Sequence, residues 1–189
     1  MTDERGTRRW LAELAWLPGQ GVCRDVLIEA GGDRFTSVSP GTADTPARPL
    51  ASAGCGLTLG SDSHAVIDIL EEARGVEYAE RLARRSHGHF TAEALLQAAT
   101  SAGHASLGWP DAGEIVPGAL ADLVTVSLDS IRTAGGPGDL ALETAVFAAS
   151  STDIRSVVIS GRDVVRDGVH QLVPDVPGEL SRTIRAALG

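Results

Sequence analysis

Lysine is absent from this sequence: all sixteen basic residues are arginine. With Ala and Gly abundant, the absence reads as the base composition of a GC-rich genome and not as selection for guanidinium forks. Aromatic residues are scarce, at 4%, which leaves the core to Leu, Val, Ala and Ile. Acidic residues outnumber basic ones, and the formal net charge is −9. That balance argues against a non-specific nucleic-acid binder, which needs a basic face to displace counterions. It argues equally against docking on anionic lipid. Two cysteines, Cys23 and Cys55, are too few for a disulfide framework or a zinc ribbon. No run approaches the ~18 apolar residues that a membrane-spanning helix requires. The opening MTDERGTRR is charged at once and lacks the apolar centre of a signal peptide. The expectation is a cytoplasmic protein with an ordinary core, since 43% of its 189 residues are apolar.

Strand signals fill the first third. RRWLAELAWL alternates with period two, which puts Trp10, Ala12, Leu14 and Trp16 on one side. VCRDVLIEA follows a turn at Pro18 to Gly21, and GGDR turns into FTSVS, so an antiparallel sheet is expected. From Pro40 to Leu50 the composition is that of a linker. GLTLGSDSHAVIDILEEA then reads as a short buried strand, Leu57 to Gly60, reaching an acid, Asp62, and an imidazole, His64, before a helix begins. Helical spacing of Val66, Ile69, Leu70, Ala73 and Val76 predicts that helix over Ala65 to Arg85. A second helix opens with Thr91 as N-cap and Glu93 in its first turn, and Gly103 and Gly108 supply stops. Strands return in ADLVTVSL, IRSVVISG, RDVVRDG and VHQLV. The helix LALETAVFAAS interrupts them, and GELSRTIRAALG closes the chain as another. Strand sets on both sides of a helical middle make sense if both belong to one sheet domain.

Three stretches carry a resemblance. GEIVPGALADLVTVSL, Gly113 to Leu128, fits the pattern G-x-I-x-x-G-x-x-A-D; VVISGRDVVRDG is a glycine-turned hairpin; GSDSH ends a strand. With RRWLAELAWLPG and GHFTAEALLQAAT, they resemble the amidohydrolase superfamily, and within it the formimidoylglutamate deiminase branch, along nearly the whole chain. The resemblance implies an α/β protein: the β-sheet (composite sandwich) domain of an amidohydrolase plus a remnant of a (β/α)8 barrel, its last strand–helix unit. Residues 1–45 would be the N-terminal sandwich strands, 46–110 the barrel remnant, and 111–189 the C-terminal sandwich strands and terminal helix. Glycines 113, 118 and 161 would serve turns, and Asp122 would accept backbone N–H bonds at a strand entry.

Enzymes of that branch remove ammonia from the formimino group of N-formimino-L-glutamate in histidine breakdown. By resemblance Asp62 is both metal ligand and catalytic residue: it would bind zinc and take a proton from the metal's water, whose pKa zinc lowers to about 7. His64 would touch the substrate. Without the resemblance, Asp62 reads as an N-cap of the following helix.

A catalytic zinc needs about three protein ligands. The family draws them from an H-x-H pair on the first barrel strand and histidines on the fifth and sixth. A whole barrel takes eight strand–helix units and ~250 residues, and this chain offers one unit. SHGHF gives His87 and His89 the H-x-H spacing but places them in a polar loop between helices, and His104 and His170 read as structural. An internal loss of the first seven units is therefore expected, joined near Pro46 to Leu50. The expected activity is metal-dependent hydrolysis of non-peptide C–N bonds on a small-molecule substrate, absent from this chain alone, with zinc a cofactor of the family that this chain does not hold by itself. The alternatives are a non-enzymatic remnant or one half of a split enzyme. The remnant would self-associate as a homo-oligomer through the unpaired edges of Leu57 to Gly60. No nucleic-acid or membrane partner is expected.

Overall fold

The computed structural model describes residues 7–40, 57–62 and 65–189. The linker Pro40 to Leu50, Cys55 and His64 thus fall wholly or nearly so outside the described residues.

Three antiparallel strands, β1 (Thr7–Leu17), β2 (Gly21–Gly31) and β3 (Arg34–Ser39), form the first sheet in chain order. The alternation in β1 holds for only part of its length. Trp10 and Ala12 pair with Ile28 and Val26 and pack against the core, but further along it is Ala15 and Leu17, opposite Cys23 and Gly21, that are buried. Leu14 and Trp16, expected on the core side with Trp10, are only half-buried. The reason lies in β2, where Asp25 takes a left-handed φ of 53°. One such residue turns the pleat, and the buried positions change from Cys23 to Val26, Ile28 and Ala30 across it.

The second sheet has the order β4 (Leu123–Val126), β5 (Ile154–Ile159), β6 (Arg162–Arg166) and β7 (Val169–His170), again antiparallel. The segment 118–122 ties the two sheets together. Phe35 N–H donates to Ala119 O at 2.9 Å, Gly118 N–H to Phe35 O at 2.7 Å, and Ala121 N–H to Asp33 O at 2.7 Å. On its other side Gly161 N–H donates to Ala121 O at 2.9 Å. The Asp122 carboxylate accepts from Ser160 N–H at 2.7 Å, the structural role expected of it. Ser160 and Gly161 both have left-handed φ, 48° and 72°. A Cβ on Gly161 would lie 2.3 Å from the carbonyl oxygen of Gly32. The two motifs read as turn chemistry therefore meet, Ala121 and Asp122 against the turn between β5 and β6, and that turn is also pressed onto the one between β2 and β3.

Helices form a second cluster, with Ala73, Ala92, Leu95 and Val146 at its centre. They are α1 (Ile69–Arg84), α2 (Ala92–Ala99), α3 (Ser101–Ser106) and α4 (Ala141–Phe147); α5 (Val176–Leu188) closes the chain. Helix α1 starts four residues later than its apolar spacing predicts, because Asp68 caps it, accepting from Leu70 N–H at 3.0 Å. Its other oxygen accepts from Ser151 N–H at 2.9 Å, so the cap also anchors the turn before β5. Arg74 donates to the carbonyls of Val146 and Ala149, serving the C-terminal end of α4. Thr91 caps α2 as expected, through Ala94 N–H at 3.1 Å. Gly103 lies inside α3 instead of ending a helix, while Gly108, at φ 85°, does make the turn that follows.

Glu77 has no exposed surface, unusual for a carboxylate. It sits one turn after Ala73 on the core-facing stripe and receives Arg81 Nε at 2.7 Å, Gly88 N–H at 3.0 Å and Phe90 N–H at 2.7 Å. Burial alone would raise its pKa. The Arg81 guanidinium and the N–H groups of the loop overcome that and hold it down at about 2. The SHGHF loop is thus wrapped on a carboxylate.

Two stability measurements check these contacts. Gly161→Ala should cost about 2 kcal/mol or more, since strain is compounded by a backbone collision. Gly19→Ala, also at positive φ but with open space around it, should cost only about 1 kcal/mol in the same urea titration. Glu77→Gln should cost about 2 kcal/mol at neutral pH, the usual worth of hydrogen bonds to a charged group. A carboxyl lowered from 4.5 to about 2 contributes fully above pH 4.5 and loses that contribution as pH falls toward 2. The gap between wild type and Glu77→Gln should accordingly narrow between pH 7 and pH 2.5.

Candidate functional site

The stretch read as a strand, Leu57 to Gly60, forms no strand in the structure. Its pattern survives: Leu57 and Leu59 are half-buried against the helical cluster, while Thr58 and Gly60 are exposed. What it lacks is a ladder, because a parallel barrel strand exists only through hydrogen bonds to its neighbours and none lies beside it among the described residues.

Asp62 follows in a turn, exposed, with φ at 43°. It is not the N-cap of α1; Asp68 takes that role. His64, expected to touch substrate, lies outside the described residues. The other histidines do not converge on Asp62. His89 pairs locally with Ser86, Nε2 to Oγ at 3.1 Å, and His87 is exposed. His104 Nδ1 lies 2.8 Å from Thr100 O within its own helix. His170 Nδ1 accepts from Val173 N–H at 2.9 Å and from Leu172 N–H at 3.2 Å, which holds the turn after β7.

The buried carboxylates are committed elsewhere. Asp68 and Glu77 serve backbone N–H groups, as above. Asp153 is grasped by Arg132 through two nitrogens, each at 2.9 Å, and accepts from Ser150 N–H at 2.8 Å. The Arg132 guanidinium holds its carboxyl well below the usual carboxylate range. Each of these acids is paired by protein donors, which leaves none poised to bind a cation or shuttle a proton. Among the described residues no group of three or more His, Cys, Asp or Glu side chains could hold a metal ion. The donors among the described residues do not make up a zinc centre, which takes about three protein ligands. No helix of the described residues is long and apolar enough to cross a membrane.

Comparison with known proteins places this geometry. The Amidohydrolase family model matches residues 16–164. Formimidoylglutamate deiminase of Pseudomonas aeruginosa is 33% identical over 142 residues, covering 71% of this chain and 31% of that protein. Among solved structures, an amidohydrolase from Brucella melitensis superposes with a TM-score of 0.57 at 26% identity, covering 70% of this chain and 30% of its own. Atrazine chlorohydrolase TrzN from Arthrobacter aurescens TC1, solved in complex with zinc, gives 0.55 at 25% identity, covering 67% and 28%. The chain thus spans about a third of the length of the proteins it matches. A match of this extent, with the tied sheets and the GSDSH stretch inside it, has one reading: the chain belongs to the amidohydrolase family.

Proposed function

We propose that this chain is the sheet domain and last barrel unit of a metal-dependent hydrolase of non-peptide C–N bonds, of the kind that deiminates N-formimino-L-glutamate, and that alone it does not catalyse. The observation that carries the reading is the 33% identity to a formimidoylglutamate deiminase, set against an exposed Asp62 that belongs to no group of three or more ligating side chains among the described residues. The division into residues 1–45, 46–110 and 111–189 belongs to the same proposal. So does the join near Pro46 to Leu50, where seven strand–helix units of the family would be missing. Reading the coding DNA before Pro46 tests that join: an intact frame encoding H-x-H there would show that the chain has been defined too short.

The purified chain should contain well under one equivalent of zinc and release no ammonia from N-formimino-L-glutamate. Near-stoichiometric zinc with ammonia release would overturn the incomplete-site reading. Asp62→Ala should leave the melting temperature unchanged, whereas Asp68→Ala should cost about 1 kcal/mol or more through the lost cap.

A second reading, a chain that self-associates, draws support from α5. Val176, Leu180, Ile184 and Leu188 recur every fourth residue along it, all exposed. Glu179 in its first turn is held by Arg182 of the same helix at 2.6 Å, so an antiparallel pair would rest on the apolar stripe alone. Light scattering should return at least twice the monomer mass, falling to the monomer in Leu180→Glu/Ile184→Glu. A wild-type monomer would exclude this reading.

A further inference from the structure

Away from Asp62, one cavity joins charge to unused hydrogen-bonding groups. It has a volume of about 280 Å³ and lies where β1 faces the second sheet. Its floor is apolar, made by Leu123 of β4 and its cross-strand partner Val158 of β5. Next to them Thr125 and Ser156, also paired across β4 and β5, line the cavity with two hydroxyls. Neither hydroxyl has a hydrogen-bond partner among the described residues.

One wall carries arginines. The Arg8 guanidinium lies 5.0 Å from the centre of the Trp10 ring and donates to Asp163 at 2.9 Å and to Gly161 O. Arg166 donates to the same Asp163 oxygen through one nitrogen. Burial would raise the Asp163 pKa, but Arg166 and Arg8 hold it below the usual range, so the acid stays ionised. Two guanidinium groups against one carboxylate leave one positive charge over, in a chain of net charge −9. Arg166 is 62% exposed in its side chain, and a guanidinium offers five N–H donors in a planar fork. Most of that fork is open to a second acceptor, and carboxylate is the partner whose geometry suits it.

We propose that this cavity binds a short-chain carboxylate, its head on Arg166 and the hydroxyls of Thr125 and Ser156, its tail over Leu123 and Val158. The free charge selects an anion, the fork and paired hydroxyls select a planar one, and the apolar floor favours an organic one over a hydrated inorganic ion. The site stands apart from Asp62 and does not depend on the proposed hydrolase function.

Sodium propionate is the probe, titrated into the chain and followed by amide and indole NMR, with sodium chloride at matched ionic strength as control. Propionate should shift the Trp10 indole and the Thr125 and Ser156 amides saturably, and chloride should not. Arg166→Gln should weaken binding about tenfold or more, the usual effect of losing a charge-assisted pair; its exposure makes the variant safe for folding. Thr125→Val, which keeps the β-branched shape, should also weaken it. Shifts that fail to saturate, that chloride reproduces, or that survive unchanged in Arg166→Gln would each overturn the proposal.

Discussion

The contact on which this structure depends is the close approach of two turns. Gly161 presses so near the carbonyl of Gly32 that a single methyl would collide with it. Segment 118–122 lies between the sheets, giving N–H groups to β3 and its turn and accepting one from Gly161. Neither sheet alone satisfies those backbone groups, and unpaired buried N–H and C=O groups are costly. Strands from opposite ends of the chain are thereby held around one core, in which Phe35, Val26 and Ile28 pack beside Ala119 and Ala121.

Buried acids set the second level of organisation. Asp68, Glu77 and Asp153 each take backbone N–H groups that secondary structure leaves unpaired, at a helix start, a loop and a short turn. Asp68 and Glu77 join α1 to segments 83 and 13 residues away, so the helical cluster rests on carboxylates as much as on apolar packing. Asp62 contrasts with all three. It has the exposure of a residue whose partners would come from elsewhere, and in a barrel those partners sit on the ends of other strands.

Much of the architecture was legible in the residues. Period-two alternation, glycine turns and the Thr91 cap lead to β1–β3, to the hairpin of β5 and β6 and to α2, because these signals act over a few residues. The family resemblance was legible for a related reason: Gly118, Asp122 and Gly161 carry out turn chemistry that few other residues permit. What misled was any signal whose meaning depends on neighbours. Leu57 and Leu59 alternate like a strand without forming one. Val66 continues the apolar spacing of α1 yet lies outside it, 59% exposed, since the Asp68 cap outweighs periodicity. Glu77 is satisfied by the N–H groups of Gly88 and Phe90, which come from a loop that helical spacing does not show.

The sequence by itself determined the local geometry, the order of elements and the family, all of which rest on short-range backbone preferences and on residues with few substitutes. The tertiary structure decided which of those elements close into a ladder and which acids are buried. Those outcomes rest on contacts between segments far apart in the chain, where the free energy of a strand or a buried charge depends on the partner that satisfies it.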